Sequence, residues 1–309
     1  MLFNKDNNGS EELQEITGYY AAANQFSVIQ SEVVDATRVV AGLVGTGVVE
    51  AADSAYQSDT DADFVAAVRT PIAILAVARY SRGNLVSHED SGSKVKVDGN
   101  EKMPWEWMLD RDERAQQERW FRALDALYAY LDEKKPESWQ NSPAKSRIKD
   151  SIVKTIEDLE AVYPVDGSYY VYYMLQGLII ESQALLHKMM GDSKWSAITA
   201  DPVAEGDKEL LRVCQRWAIL SALVKAVRRW SLEVFPLSIA RRFCPSYNGG
   251  RSSRAAALEE MDAYVSGLEG QIAEARGELA ELLADGLNPW RNYDPQPRND
   301  PKNKFFTAQ

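Results

Sequence analysis

The residues that could do chemistry are few, and the densest group is cationic. Between Lys225 and Arg254 the chain carries Lys225, Arg228, Arg229, Arg241, Arg242, Arg251 and Arg254 against a single Glu233, inside a sequence of net charge -11. Arginine makes planar, two-pronged contacts to carboxylates and phosphates, so this local reversal of sign is a candidate docking patch for an acidic protein surface or a phosphate backbone. The competing reading is a solvated face that balances acidic helices elsewhere. The two histidines, His88 and His187, have no cysteine or carboxylate at metal-ligand spacing, and both read as ordinary side chains. Cys214 falls on an apolar helical face and reads as a buried thiol. Cys244 precedes Pro245 near arginines, a setting that lowers a thiol pKa, but no histidine lies near it in sequence to complete a nucleophilic pair. Gly42, Gly45 and Gly47 follow no strand and carry no Lys-Ser/Thr pair, so GLVGTG is a helix end with close backbone packing rather than a phosphate loop. Trp105-Glu106-Trp107 could open an aromatic ligand box; aromatics at helix starts are more often core.

These residues must be held by helices. The run Ser168–Gly191 places Tyr172, Leu175, Ile179, Ser182, Leu186 and Met189 at three- and four-residue steps, the period of a helix with one buried face. The chain contains this pattern twice. Sliding the sequence by 146 places sets Glu157-Asp158-Leu159 on Glu11-Glu12-Leu13, Gly191 on Gly45 and Glu209-Leu210-Leu211 on Asp63-Phe64-Val65, across about 70 positions without a gap. Ile29, Val33, Ala36 and Val40 then fall on Leu175, Ile179, Ser182 and Leu186, so the buried faces coincide. The fold class expected is all-α: two tandem helical-bundle repeats related by an internal duplication, with a small β-hairpin arm and an extended C-terminal tail.

The expected divisions are a first repeat over 1–136 with the arm near 84–104, a linker over 137–149, a second repeat over 150–286 and a Pro-rich tail over 287–309. In the first repeat the pattern predicts a short helix near Leu13–Tyr20 and a long helix from about Gln25 to Gly45, resuming through Tyr56. A further helix spans about Ala62 to Arg82, with Pro71 expected to kink it or delay its start. Turn signals and the alternation Lys94-Val95-Lys96-Val97 predict the arm. A helix from Trp105 to Lys134 follows, stopped by Pro136. In the second repeat a short helix near Ile152–Val162 precedes the long one. After a loop through Trp195 and Pro202 come helices over Asp207–Trp230 and Ser252–Ala284. In the tail, prolines at 289, 295, 297 and 301 exclude regular structure, while Trp290, Tyr293, Phe305 and Phe306 are aromatics suited to grooves elsewhere.

Composition bounds the function. Hydrophobic content of 45% with 26% charged residues is globular, and the acidic balance argues against a general nucleic-acid binder. Two cysteines make no disulfide framework, which points to a reducing compartment. No secretory signal and no run of about 18 apolar residues is seen, so no membrane span is expected.

The turn Val165-Asp166-Gly167-Ser168, the helix closing at Met190-Gly191 and the Trp195 loop form one part of a larger pattern. The helix CQRWAILSALVKAVRRW, Phe235-Pro236 and a Gly-rich loop form the other. Together they resemble the helical proteins found in structural-gene clusters of Bacteroides-type prophages and, more distantly, the head-to-tail connector (adaptor or neck) proteins of tailed phages. The resemblance covers most of residues 150–285 and, more weakly, 11–135. It implies a non-enzymatic virion protein without cofactor or metal, present in the bacterial cytoplasm during assembly. Its partners would be its own copies in a ring and other virion proteins such as portal and tail components, with direct DNA contact less favoured. The docking residues would be Arg228, Arg229, Arg241, Arg242, Arg251, Arg254, Trp290, Tyr293, Phe305 and Phe306. The chain departs from the short connectors in being a tandem with a long tail. Two rivals stand beside this: an enzyme or small-ligand binder with a Trp- and Tyr-lined pocket between the halves, and a host cytosolic helical scaffold.

Overall fold

The computed structural model describes residues 1–20, 23–84, 87–89, 92–94, 105–230 and 258–285, and these are almost entirely helical. Each boundary has a local cause. α1 (Gly9–Thr17) ends where Gly18 takes a left-handed conformation and its N–H bonds the Gln14 carbonyl. α2 (Phe26–Val44) buries Ile29, Val33, Ala36, Val40 and Val44. Gly45 then turns the chain at φ 103°, and α3 (Thr46–Gln57) sets off in a new direction. Asp61 caps α4 (Ala62–Gly83) by accepting from the Phe64 N–H. α4 starts on time and passes Pro71 as one helix. Two three-residue strands, β1 (Ser87–Glu89) and β2 (Gly92–Lys94), pair antiparallel; Val95 to Val97 lie outside the described residues. α5 (Glu106–Lys134) stops at left-handed Lys135 and Pro136.

The segment expected as the linker carries two short helices. α6 (Glu137–Gln140) and α7 (Pro143–Lys149) occupy it, the second capped by Ser142 with Pro143 at its first position. The reason is Trp139, which is fully buried and ties the segment down. α8 (Ile156–Glu160) opens with a capping box between Thr155 and Asp158. Ser168 caps α9 (Tyr169–Thr199). Gly191, at φ 77° and ψ 166°, divides α9 into two legs. Trp195 therefore sits on a helical second leg rather than in a loop. After a 3-10 turn at Glu205–Asp207 come α10 (Lys208–Arg229) and α11 (Leu258–Asp285).

At the 146-residue offset α4 falls on α10 end for end, and Gly45 falls on Gly191, both glycines with left-handed φ. The packing order is also shared: α2 lies on α4 and α4 on α5, as α9 lies on α10 and α10 on α11. Tyr172, Leu175, Ile179, Ser182 and Leu186 are buried as the spacing predicts, but Met189 is 44% exposed. One apolar cluster runs through both halves, from Leu13 and Val33 to Leu175 and Leu220. Among the described residues no helix is long and apolar enough to cross a membrane.

Candidate functional site

Two regions gather the side chains with chemistry in them: the joint between the halves and the basic face of α10. The joint is made where α5 meets α9. Tyr128 and Tyr173 stack with centroids 4.5 Å apart, and Trp139 stands edge-on to Tyr173 at 5.3 Å. Phe121 and Tyr170 meet at 5.2 Å further along. Two carboxylates thread this aromatic layer. Asp132 accepts from the Tyr173 hydroxyl at 2.6 Å, the Trp139 indole N–H at 2.9 Å and Lys145 Nζ at 2.8 Å. Asp125 accepts from the Ser168 hydroxyl at 3.0 Å and the Tyr170 N–H at 2.8 Å, so a side chain of the first half helps to cap the long helix of the second. Burial holds Asp125 above the ordinary carboxylate value, against the downward pull of those two donors. Burial, then the bond to Asp132, pushes the Tyr173 hydroxyl far up, so it is a donor at any ordinary pH. Where a ligand pocket between the halves was a rival reading, the described rings pack against one another.

Several basic residues of α10 pair with acidic neighbours at the surface. Arg229 grips both oxygens of Glu181 on α9, one of them at 2.9 Å, and Lys225 reaches the same carboxylate at 3.2 Å. The hydrogen bonds from Arg229, then from Lys225, pull Glu181 down to about 2. Arg228 pairs with Glu269 at 2.8 Å, and Arg216 with Glu274 at 3.2 Å and Glu278 at 2.9 Å, all on α11. Arg228 and Arg229 are therefore joined to acidic groups of their own chain while staying exposed to solvent, the arrangement expected of a solvated face that balances acidic helices. The acid-rich sequence of α11 was the signal that could have foretold it. Arg241, Arg242, Arg251, Arg254, Trp290, Tyr293, Phe305 and Phe306 lie outside the described residues.

No family model matches the chain, and neither a curated protein nor a solved structure does. The site is read from its own geometry.

The remaining candidates fall into place individually. Cys214 is buried and its thiol is pushed up to about 12 by burial, so it stays protonated, 3.5 Å from the Met190 sulfur. Cys244 lies outside the described residues. His187 meets Asp192 at 2.8 Å across the Gly191 break and stacks on Trp195 with centroids 4.9 Å apart. His88 lies on β1. Among the described residues no group of three or more His, Cys, Asp or Glu side chains is placed to hold a metal ion. Trp105 is 71% exposed. Gly45 packs closely, because a Cβ there would stand 3.1 Å from that of Ser142, whereas Gly42 and Gly47 face open space. A shallow hollow of about 480 Å³ between α3, α4 and α6 is lined by Ala51, Asp61, Phe64 and Pro136.

Sequence reasoning missed Arg69. It lies between the rings of Phe3 and Tyr56, 4.6 and 4.8 Å from their centroids, and pairs with Glu12 at 2.8 Å. Glu12 also accepts from the Tyr56 hydroxyl at 2.6 Å, and burial, then that bond, pushes Tyr56 up to about 12. Nothing in the spacing of these residues marks them as partners, since they come from four separate places along the chain.

Proposed function

We propose that the chain is a structural assembly protein, made of two copies of one helical unit and acting through protein–protein contact. The observation that carries this reading is the shared offset. The bounds of α4 and α10, the turning glycines and the packing order recur 146 residues apart, and a duplicated unit clamped by a packed aromatic joint is a stiff building block with two related outer surfaces. The finer proposal is a head–tail connector or neck component of a tailed phage. It rests on the sequence resemblance and takes further copies in a ring, with portal and tail proteins, as partners. On this reading the docking role of the basic segment passes to Arg241, Arg242, Arg251 and Arg254, since Arg228 and Arg229 are engaged within the chain.

The test is native mass of the purified chain, alone and co-expressed with portal and tail proteins of a phage carrying a related gene cluster. A discrete ring, or a stable complex with a neck neighbour, is the expected result. Arg241→Glu with Arg242→Glu should weaken that complex and flatten its salt dependence while leaving the helical signal intact. A chain that stays monomeric at every concentration and joins no neck protein overturns the reading.

A further inference from the structure

In the first half the turn at Gly45 has a roof. Ser142 and Pro143 lie against it, α7 packs on α2 and α6 on α3. Around this turn Val39 and Leu43 are half-buried and Val49 is 8% exposed. At the 146-residue offset the same positions in the second half are Leu185, Met189 and Trp195, around Gly191. There Leu185 is 51% and Met189 44% exposed, and no described atom lies within 4 Å of a Cβ built on Gly191. At the second elbow His187 stacks on Trp195, while Leu185 and Met189 stand exposed with no described element over them.

The chain after each long helix explains what belongs there. α5 ends at Lys134, Lys135 turns left-handed at φ 52°, and Trp139 follows five residues after the helix end. α11 ends at Asp285, Gly286 follows in the place best suited to that turn, and Trp290 again stands five residues after the end. The inward stripes agree with this register: Phe121, Leu124, Tyr128 and Leu131 of α5 correspond to Ile272, Ala275, Leu279 and Leu282 of α11, at an offset of 151. In the places of Tyr128 and Asp132, which flank Trp139, α11 offers Leu279 and Leu283, an apolar seat for an indole.

We propose that residues 286–294, led by Trp290, cover the Gly191 elbow of their own chain as α6 and α7 cover Gly45. This rests on the two-unit reading above. α11 packs on α10 as α5 packs on α4, and in each case the chain runs on from the end of the outer helix. A tether this short gives the segment an effective concentration of about millimolar at its own elbow, well above that of another copy at working dilution. Trp290 and Tyr293 are thereby assigned to the chain's own surface, leaving Phe305 and Phe306 for partners.

Peroxide oxidation read by mass spectrometry tests this on the unaltered chain. Met189 and Met108 have like exposure among the described atoms, 44% and 42%. With the cover in place Met189 should oxidise at least about tenfold more slowly than Met108, since oxidation follows exposure. Trp290→Ala should bring the two rates together, with amide protection around Gly45 unchanged as the control for folding. Equal rates in the unaltered chain overturn the proposal, as does protection of Met189 that fades on dilution, which would put a neighbouring copy's tail on the elbow. Neither result touches the two-unit reading, which stands on α4 and α10, or the assembly reading, which stands on native mass.

Discussion

Glu181 illustrates how a single carboxylate ties two helices. Its value of about 2 lies below the ordinary 4.5 because Arg229 and Lys225 both bond the charged form. A carboxylate lowered in the folded state contributes stability that is present above about pH 4.5 and is lost as pH falls through about 2. The groups are exposed, so salt weakens the tie. The Tm difference between the unaltered chain and Glu181→Gln should therefore be small at neutral pH, shrink between pH 4.5 and 2 and shrink again in added salt. Melting curves in an acid series check this. A difference that persists at the lowest pH would mean the glutamate matters through packing rather than charge.

At the scale of elements, the glycines separate two effects that sequence alone confounds. Gly42 lies exposed inside α2 with open space where a Cβ would stand. Gly42→Ala should stabilise by about 0.5–1 kcal/mol, by lowering the cost of ordering the chain. Gly45, three residues on, has φ 103° and the Ser142 side chain 3.1 Å from the missing Cβ. Gly45→Ala should destabilise by about 1–3 kcal/mol through backbone strain, with crowding added. Denaturant midpoints of the two variants should move in opposite directions. Helix bounds were largely legible because their causes are local: Asp61, Ser168 and Gly191 announce themselves in the sequence. Pro71 does not delay the start of α4, since an isolated proline deletes one backbone bond while the buried faces on either side, Val68 and Ile72 among them, hold the helix together. The ordered segment over 137–149 was not legible at all. What fixes it is Trp139 meeting Tyr173, a residue 34 positions away whose approach no local pattern encodes. Arg69 and Glu12 were hidden for the same reason.

For the molecule as a whole, stiffness depends on the joint. Trp139→Ala would remove the ring that Tyr128 and Tyr173 pack against and open a cavity inside the core. A loss of about 3–5 kcal/mol is expected, the range for a buried aromatic cut to alanine. Calorimetry provides the second reading: the unaltered chain, with one cluster running through both halves, should melt in one transition, while the variant should show two as the halves uncouple. A single, merely earlier transition would mean the halves cooperate through other contacts.

The joint also limits how far such a structure can extend. From α9 it is filled by Tyr170 and Tyr173; at the matching places on the first half stand Asn24 and Ser27, both exposed to solvent. Repeat arrays lengthen only while each outermost surface reproduces the inner one, and a hydrophilic end cap halts them. On this side the adhesive surface exists once, already consumed. On the proposed two-unit reading, end-to-end growth through this face finds no second adhesive surface among the described residues, so a higher-order particle would be built with surfaces the two halves do not use on each other.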